Sequence, residues 1–168
     1  MKLLVAAVLF SLPLAAHSTA GDCTPNGPVI GTSYCPNAPS CTGIPALTTM
    51  HGSQLIVDNV VTLHTTQLPA NSFGYYLVSS TEMFVQPPLS NGFLCVGPSV
   101  GRYNTQVQSA GATGCVQMAI DLNAVPTPSG GVAPVQSGDF LRFQYWYRDC
   151  GYVPARSNFS DAVRVRFL

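Results

Sequence analysis

Along most of the chain, apolar and polar side chains alternate with a period of two, the mark of a strand with one buried face. The pattern is clearest over 114–122, where Val116, Met118, Ile120 and Leu122 fall on one side. Further extended segments are predicted at 53–57 and 60–66, two β-branched runs around an Asp58-Asn59 turn, and at 73–80, 92–96, 101–103, 139–149 and 162–168. Leu68-Pro69-Ala70-Asn71, Pro87-Pro88 and the Pro/Gly/Ser-rich stretch 126–138 break the chain between them. No window carries a capped apolar stripe of helical period, and no internal repeat is visible. Short strands separated by turn signals predict an all-β fold, a single antiparallel β-sandwich of jelly-roll-like or Ig-like type. Residues 51–168 form the sandwich domain. Residues 21–50, rich in Pro, Gly, Cys, Ser and Thr, read as an irregular arm tied down by disulfides.

The last two predicted strands carry the most chemistry. Over 139–149, Leu141, Phe143, Tyr145 and Tyr147 share one face, and Arg142, Gln144, Trp146 and Arg148 the other. In the final strand, Val163, Val165 and Phe167 alternate with Ala162, Arg164 and Arg166. If the two strands pair, Arg142, Arg148, Arg164 and Arg166 lie on one outer face beside Trp146, the only tryptophan. Guanidinium forks match carboxylate, sulfate and phosphate, and an indole can stack on a sugar ring. The simpler explanation is a solvated sheet face whose arginines pair with Asp149 and Asp161.

The N-terminus reads as a processing signal. Lys2 precedes an apolar run over 3–14, and Ser18 and Ala20 fit a small-x-small cleavage site, so residues 1–20 are expected to be removed; cleavage after Ala16 is the second choice. The apolar run is shorter than the ~20 residues a membrane span needs. Losing Lys2, the only lysine, leaves six arginines against seven acids, which is no footprint for nucleic acid. The chain is 46% hydrophobic and 8% charged, too apolar for intrinsic disorder. Cys23, Cys35, Cys41, Cys95, Cys115 and Cys150 form an even set without a C-x-x-C pair, which points to disulfides in a secreted or periplasmic protein rather than to zinc. Six cysteines allow 15 pairings, and spacing alone chooses none of them.

Catalytic signals are weak, and no enzymatic activity, cofactor or metal site is predicted. Gly97-Pro98-Ser99-Val100-Gly101 matches the G-x-S-x-G elbow, but Arg102-Tyr103-Asn104-Thr105 follows where a helix is needed. His51 and His64 both precede Ser99 and stand in no frame with it. Glu82 is the only glutamate, so a Glu–Glu glycosidase pair is impossible, and the aspartates are not spaced as an EF-hand. Asn158-Phe159-Ser160 fits an N-glycosylation sequon, with a simpler role as the lead into the final strand.

Several stretches carry a resemblance: Gly31-Thr32-Ser33-Tyr34-Cys35, Leu68-Pro69-Ala70-Asn71-Ser72-Phe73-Gly74-Tyr75, Leu94-Cys95-Val96-Gly97, Ile120-Asp121-Leu122, Phe143-Gln144-Tyr145-Trp146-Tyr147-Arg148-Asp149 and Ser157-Asn158-Phe159-Ser160-Asp161. From Gly31 to Phe167 the chain resembles a module of predicted secreted proteins of planctomycetes and myxobacteria. The resemblance implies an extracellular β-sandwich with no assigned activity and no catalytic residues. It also implies that Cys35 pairs with Cys95, leaving the other four cysteines to pair among themselves. Cys115 opens one predicted strand and Cys150 closes another. If those strands are antiparallel neighbours, the two cysteines come within bridging distance, which leaves Cys23 for Cys41. The function expected is a non-catalytic structural or cell-surface interaction domain whose partner is an extracellular polysaccharide or protein. The alternative is an anionic-glycan module using Arg142, Gln144, Trp146, Arg148, Arg164 and Arg166.

Overall fold

The computed structural model of the protein describes residues 23–151 and 156–168. The predicted signal segment 1–20 and its cleavage site lie outside the described residues. Among the described residues, fourteen strands and one 3₁₀ turn, Ile56–Asp58, make up the regular structure. The fold is all-β, as the alternation predicts.

One sheet runs β1 (Val29–Ile30), β3 (Leu47–Gly52), β4 (Val61–Thr66), β10 (Val116–Ile120). The other runs β2 (Thr32–Tyr34), β14 (Ser157–Arg166), β13 (Phe140–Arg148), β5 (Phe73–Ser79), β8 (Gly101–Arg102), with β9 (Gln108–Ser109) also against β5. Two antiparallel ribbons, β6 (Glu82–Val85) with β7 (Leu94–Val96) and β11 (Val125–Pro126) with β12 (Val132–Ala133), are attached to this frame. The segment 21–50 thus contains β1, β2 and most of β3, which join both sheets.

The core lies between the sheets. Met50, Leu63, Val116, Met118 and Ile120 meet Tyr76, Val78, Phe143, Tyr145, Tyr147, Val163, Val165 and Phe167, all buried. These are the inward positions that period two assigns. A buried hydroxyl chain also crosses the core. Tyr76 Oη, Thr65 Oγ1, Thr48 Oγ1 and Ser160 Oγ follow one another at 2.8, 2.7 and 2.8 Å. Burying these polar groups is tolerable because each has a partner.

Besides the strands in the segment predicted to be irregular and the β11–β12 ribbon in the predicted 126–138 loop, two predicted features differ. Residues 53–57 are not a strand. Leu55 N donates to Ser53 Oγ and Asp58 N to the Leu55 carbonyl, closing a tight turn instead. Asn59, at φ 46°, then turns the chain into β4. The final strand starts at Ser157 rather than 162, and it contains a bulge. Gln144 faces Ala162 and Trp146 faces Phe159, so Ser160 and Asp161 together oppose Tyr145. Tyr145 N, left without a ladder partner there, donates to Ser160 Oγ at 3.0 Å.

Candidate functional site

The strand pairing predicted for the arginine face is present. β13 and β14 are antiparallel neighbours, with Arg142 opposite Arg164, Phe140 opposite Arg166 and Arg148 opposite Ser157. All four arginines therefore lie on the outer side of the sheet. This face is nevertheless not the open cationic surface expected. The β6–β7 ribbon and the segment around Cys35 fold over its middle and make a second, smaller core. Leu77, Cys95, Val96, Val100, Phe159 and Ala162 are buried there, and Tyr34, Tyr75, Phe93 and Trp146 pack against them.

Gln144 is 0% exposed beneath this cover. Its Oε1 accepts from Cys95 N at 2.9 Å, and its Nε2 donates to the carbonyls of Phe93 and Ser160 at 2.9 and 2.8 Å. It is a structural anchor rather than a ligand contact. Arg142 and Arg164, like charges directly opposite each other, are held by one carboxylate. Glu82 Oε1 lies 3.1 Å from Arg142 Nε and 3.4 Å from Arg164 Nη1. The aspartates expected to do this are engaged elsewhere. Asp149 is buried and accepts from Cys41 N, Cys150 N, Asn91 Nδ2 and Asn158 Nδ2 at 3.0–3.2 Å. Asp161 accepts from Thr48 N at 2.6 Å and from the Ser33 hydroxyl. Burial pushes the Asp161 carboxyl above its ordinary value, and these two donors oppose that shift.

What stays open is one end of the face. Trp146 lies beside Tyr75 with ring centroids 5.0 Å apart, and the Arg148 guanidinium sits over the indole at 5.2 Å. Phe73, on the same side of β5 as Tyr75, is 57% exposed. On the far side of β5, Arg102 stands opposite Leu77 and is exposed. Neither Phe73, Tyr75 nor Arg102 is singled out by the sequence, because only register brings three separate strands together here. Gly74 lets β5 come this close: a Cβ there would run into the Trp146 carbonyl and the Tyr145 ring. Arg166 is exposed at the opposite end of the face.

Ser99 follows a cis Gly97-Pro98 bond in a turn between β7 and β8, strand to strand, so the elbow's helix is absent. It lines an apolar pocket of about 180 Å³ with Val78, Val125, Val135 and Leu141. His51 and His64 lie on β3 and β4 of the other sheet. There the arm residues Cys23 to Gly27 pass over them: His51 Nδ1 meets the Gly27 carbonyl at 3.2 Å and its Nε2 meets Thr49 Oγ1 at 3.0 Å. His64 is 9% exposed and its Nε2 has no partner. Burial and the neighbouring His51, set edge to face with ring centroids 6.2 Å apart, hold His64 below its ordinary 6.5. The sequon asparagine, Asn158, is 0% exposed and its amide is committed to Asp149 and the Pro39 carbonyl. A folded chain offers no acceptor for a glycan at that position.

The six cysteines form Cys23–Cys115, Cys35–Cys95 and Cys41–Cys150, with Cα separations of 6.3, 6.2 and 5.5 Å. Cys35–Cys95 is the pair the resemblance implies. The expected Cys115–Cys150 and Cys23–Cys41 pairs are corrected. The strands led by Cys115 and ended by Cys150, β10 and β13, belong to different sheets, so start does not meet end. Sulfurs of Cys23 and Cys115 lie close to a His64 ring nitrogen, and those of Cys41 and Cys150 close to Asp149. Both sulfur pairs are oxidised, and a metal is ligated by thiolate, so neither cluster is a cation site in this state. Among the described residues, no helix is long and apolar enough to cross a membrane. No protein-family model matches the chain, and neither a curated protein nor a solved structure matches it.

Proposed function

We propose that the protein is an exported, non-catalytic interaction domain, a rigid β-sandwich acting outside the cytoplasm. One observation carries this reading: every cysteine is in a disulfide, and the bridges span 92, 60 and 109 residues. Such bridges persist in oxidising compartments and are rare where thiols are kept reduced. Membership of the secreted module named above is part of the proposal, supported by the sandwich fold and by the Cys35–Cys95 pair. Gln144, Asp149, Asp161 and Asn158 are bound into the framework, and each holds a loop or strand in place.

The test is to express the full chain with a C-terminal tag in a bacterial host and fractionate the cells. The expected product is outside the cytoplasm, starts at Gly21, and carries no free thiol. Incubated with fluorogenic ester, glycoside and peptide substrates and with a fluorophosphonate probe, it is expected to give no turnover and no label at Ser99. Cytoplasmic retention with reduced cysteines would contradict export. Stoichiometric labelling of Ser99 would contradict the non-catalytic assignment.

A further inference from the structure

Resting on the proposal of a non-catalytic interaction domain, we infer that the open end of the β13 face is a binding site for an acidic polysaccharide, with Arg148 and Arg102 as its cationic contacts and Phe73, Tyr75 and Trp146 as its floor. Exposed arginines are ordinary, but these two differ from Arg142 and Arg164 on the same sheet. Those two are neutralised by Glu82, whereas Arg148 and Arg102 meet no carboxylate within ion-pair distance among the described residues. The only acid close in sequence to Arg148, Asp149, is buried and saturated by four N–H donors. The charge of Arg148 at this end, and of Arg102 beside the edge of the cover, therefore has no carboxylate partner among the described residues, and an external anion can supply one.

The aromatic residues narrow the class of anion. Arg148 lies over the Trp146 ring, so the guanidinium is already ordered before any ligand arrives and its fork can donate bidentately to a carboxylate or sulfate. Tyr75 flanks the indole and Phe73 lies exposed one step further along β5. A row of flat rings at sheet level suits the apolar face of a pyranose rather than a compact ion such as inorganic phosphate. Arg102 sits on the neighbouring strand across Leu77, beyond Tyr75 from Arg148. Two cations flanking a ring floor fit a chain of uronic acid or sulfated sugars, with charges repeating along it, rather than a single acidic sugar. The surface is a shelf rather than a cavity, so the affinity expected is moderate and dependent on several sugar units.

Trp146 is the only tryptophan, so tryptophan emission, excited selectively over the tyrosines, reports on this shelf. The exported protein is titrated with polygalacturonate, with heparin and with neutral dextran, at low and at physiological salt. Saturable change in Trp146 emission is expected with one or both acidic polymers and none with dextran, weakening as salt screens the contacts. Arg148→Ala, removing a charged fork, is expected to weaken binding about tenfold or more, while Arg166→Ala at the other end leaves it within about twofold. Circular dichroism shows whether each variant is folded. No emission change at low salt, or equal losses in the two variants, overturns the inference. New reducing or unsaturated ends in the same mixtures would instead overturn the non-catalytic proposal on which it rests, so the two failures are distinguishable.

Discussion

At the scale of single residues, the buried titratable groups pull stability in opposite directions with pH. His64 is held neutral by burial and by His51, so its folded value lies below the unfolded 6.5. The stability this contributes is present above about pH 6.5 and is lost as pH falls through the folded value. Asp161 is raised from 3.8 by burial, so its ionised form is a cost at neutral pH, relieved as pH falls through the raised value. Between about pH 7.5 and about pH 5.5 the histidine effect is expected to dominate: the urea midpoint falls in the native chain and stays flat in His64→Gln. A midpoint that falls equally in both would remove His64 from the account. Asp149 has the larger structural role. Asp149→Ala strands four donors, two of them the backbone N–H groups of Cys41 and Cys150, and is expected to cost about 3 kcal/mol or more in urea unfolding. Asp149→Asn is expected to be damaging too, since an amide sets a donor against donors.

At the scale of elements, alternation made the inward rows of β13 and β14 legible residue by residue, because both strands bury one full face in the main core. It could not show that the other face is also covered. Gln144 is polar and counts as solvent-facing in any period-two reading, yet it anchors the β6–β7 ribbon through Cys95 and Phe93. Nor does the pattern reveal the Ser160-Asp161 bulge, since one extra residue in a run of mixed polarity leaves no mark on local hydropathy. Arg102, Phe73 and Tyr75 join the candidate shelf only through register between strands distant in sequence. Thr48 was hidden in a stretch whose Pro and Gly content masks a strand. The anchor has a direct test. Gln144→Leu, nearly isosteric, leaves the Cys95 amide and two carbonyls unpaired and is expected to cost about 2–4 kcal/mol. Hydrogen exchange should show the Cys95 amide losing protection while Val116 and Met118 in the other sheet keep theirs. Unchanged protection at Cys95 would mean that the ribbon is held without Gln144.

At the scale of the whole molecule, the three bridges fix segments that the strand ladders hold only partly. Cys23–Cys115 pins the start of the described chain to β10's leading edge, Cys35–Cys95 pins the turn after β2 to the β7 strand, and Cys41–Cys150 pins the loop before β3 to the end of β13. Each joins the N-terminal third to a distant part of the chain, and β1, β2 and β3 enter the two sheets, so the arm is built into the sandwich rather than appended to it. The bridge spanning 109 residues closes the longest loop, and replacing Cys41 and Cys150 by serine is expected to lower unfolding free energy by about 4 kcal/mol. The pairing itself carries the account of both the export proposal and the covered sheet face, because a different pairing would release the Cys35 segment or the arm over His51 and His64. Tandem mass spectrometry of unreduced proteolytic fragments from the purified, unreduced protein tests it most directly. Linked peptides joining Cys23 to Cys115, Cys35 to Cys95 and Cys41 to Cys150 are expected; a peptide joining Cys115 to Cys150, or Cys23 to Cys41, would contradict it.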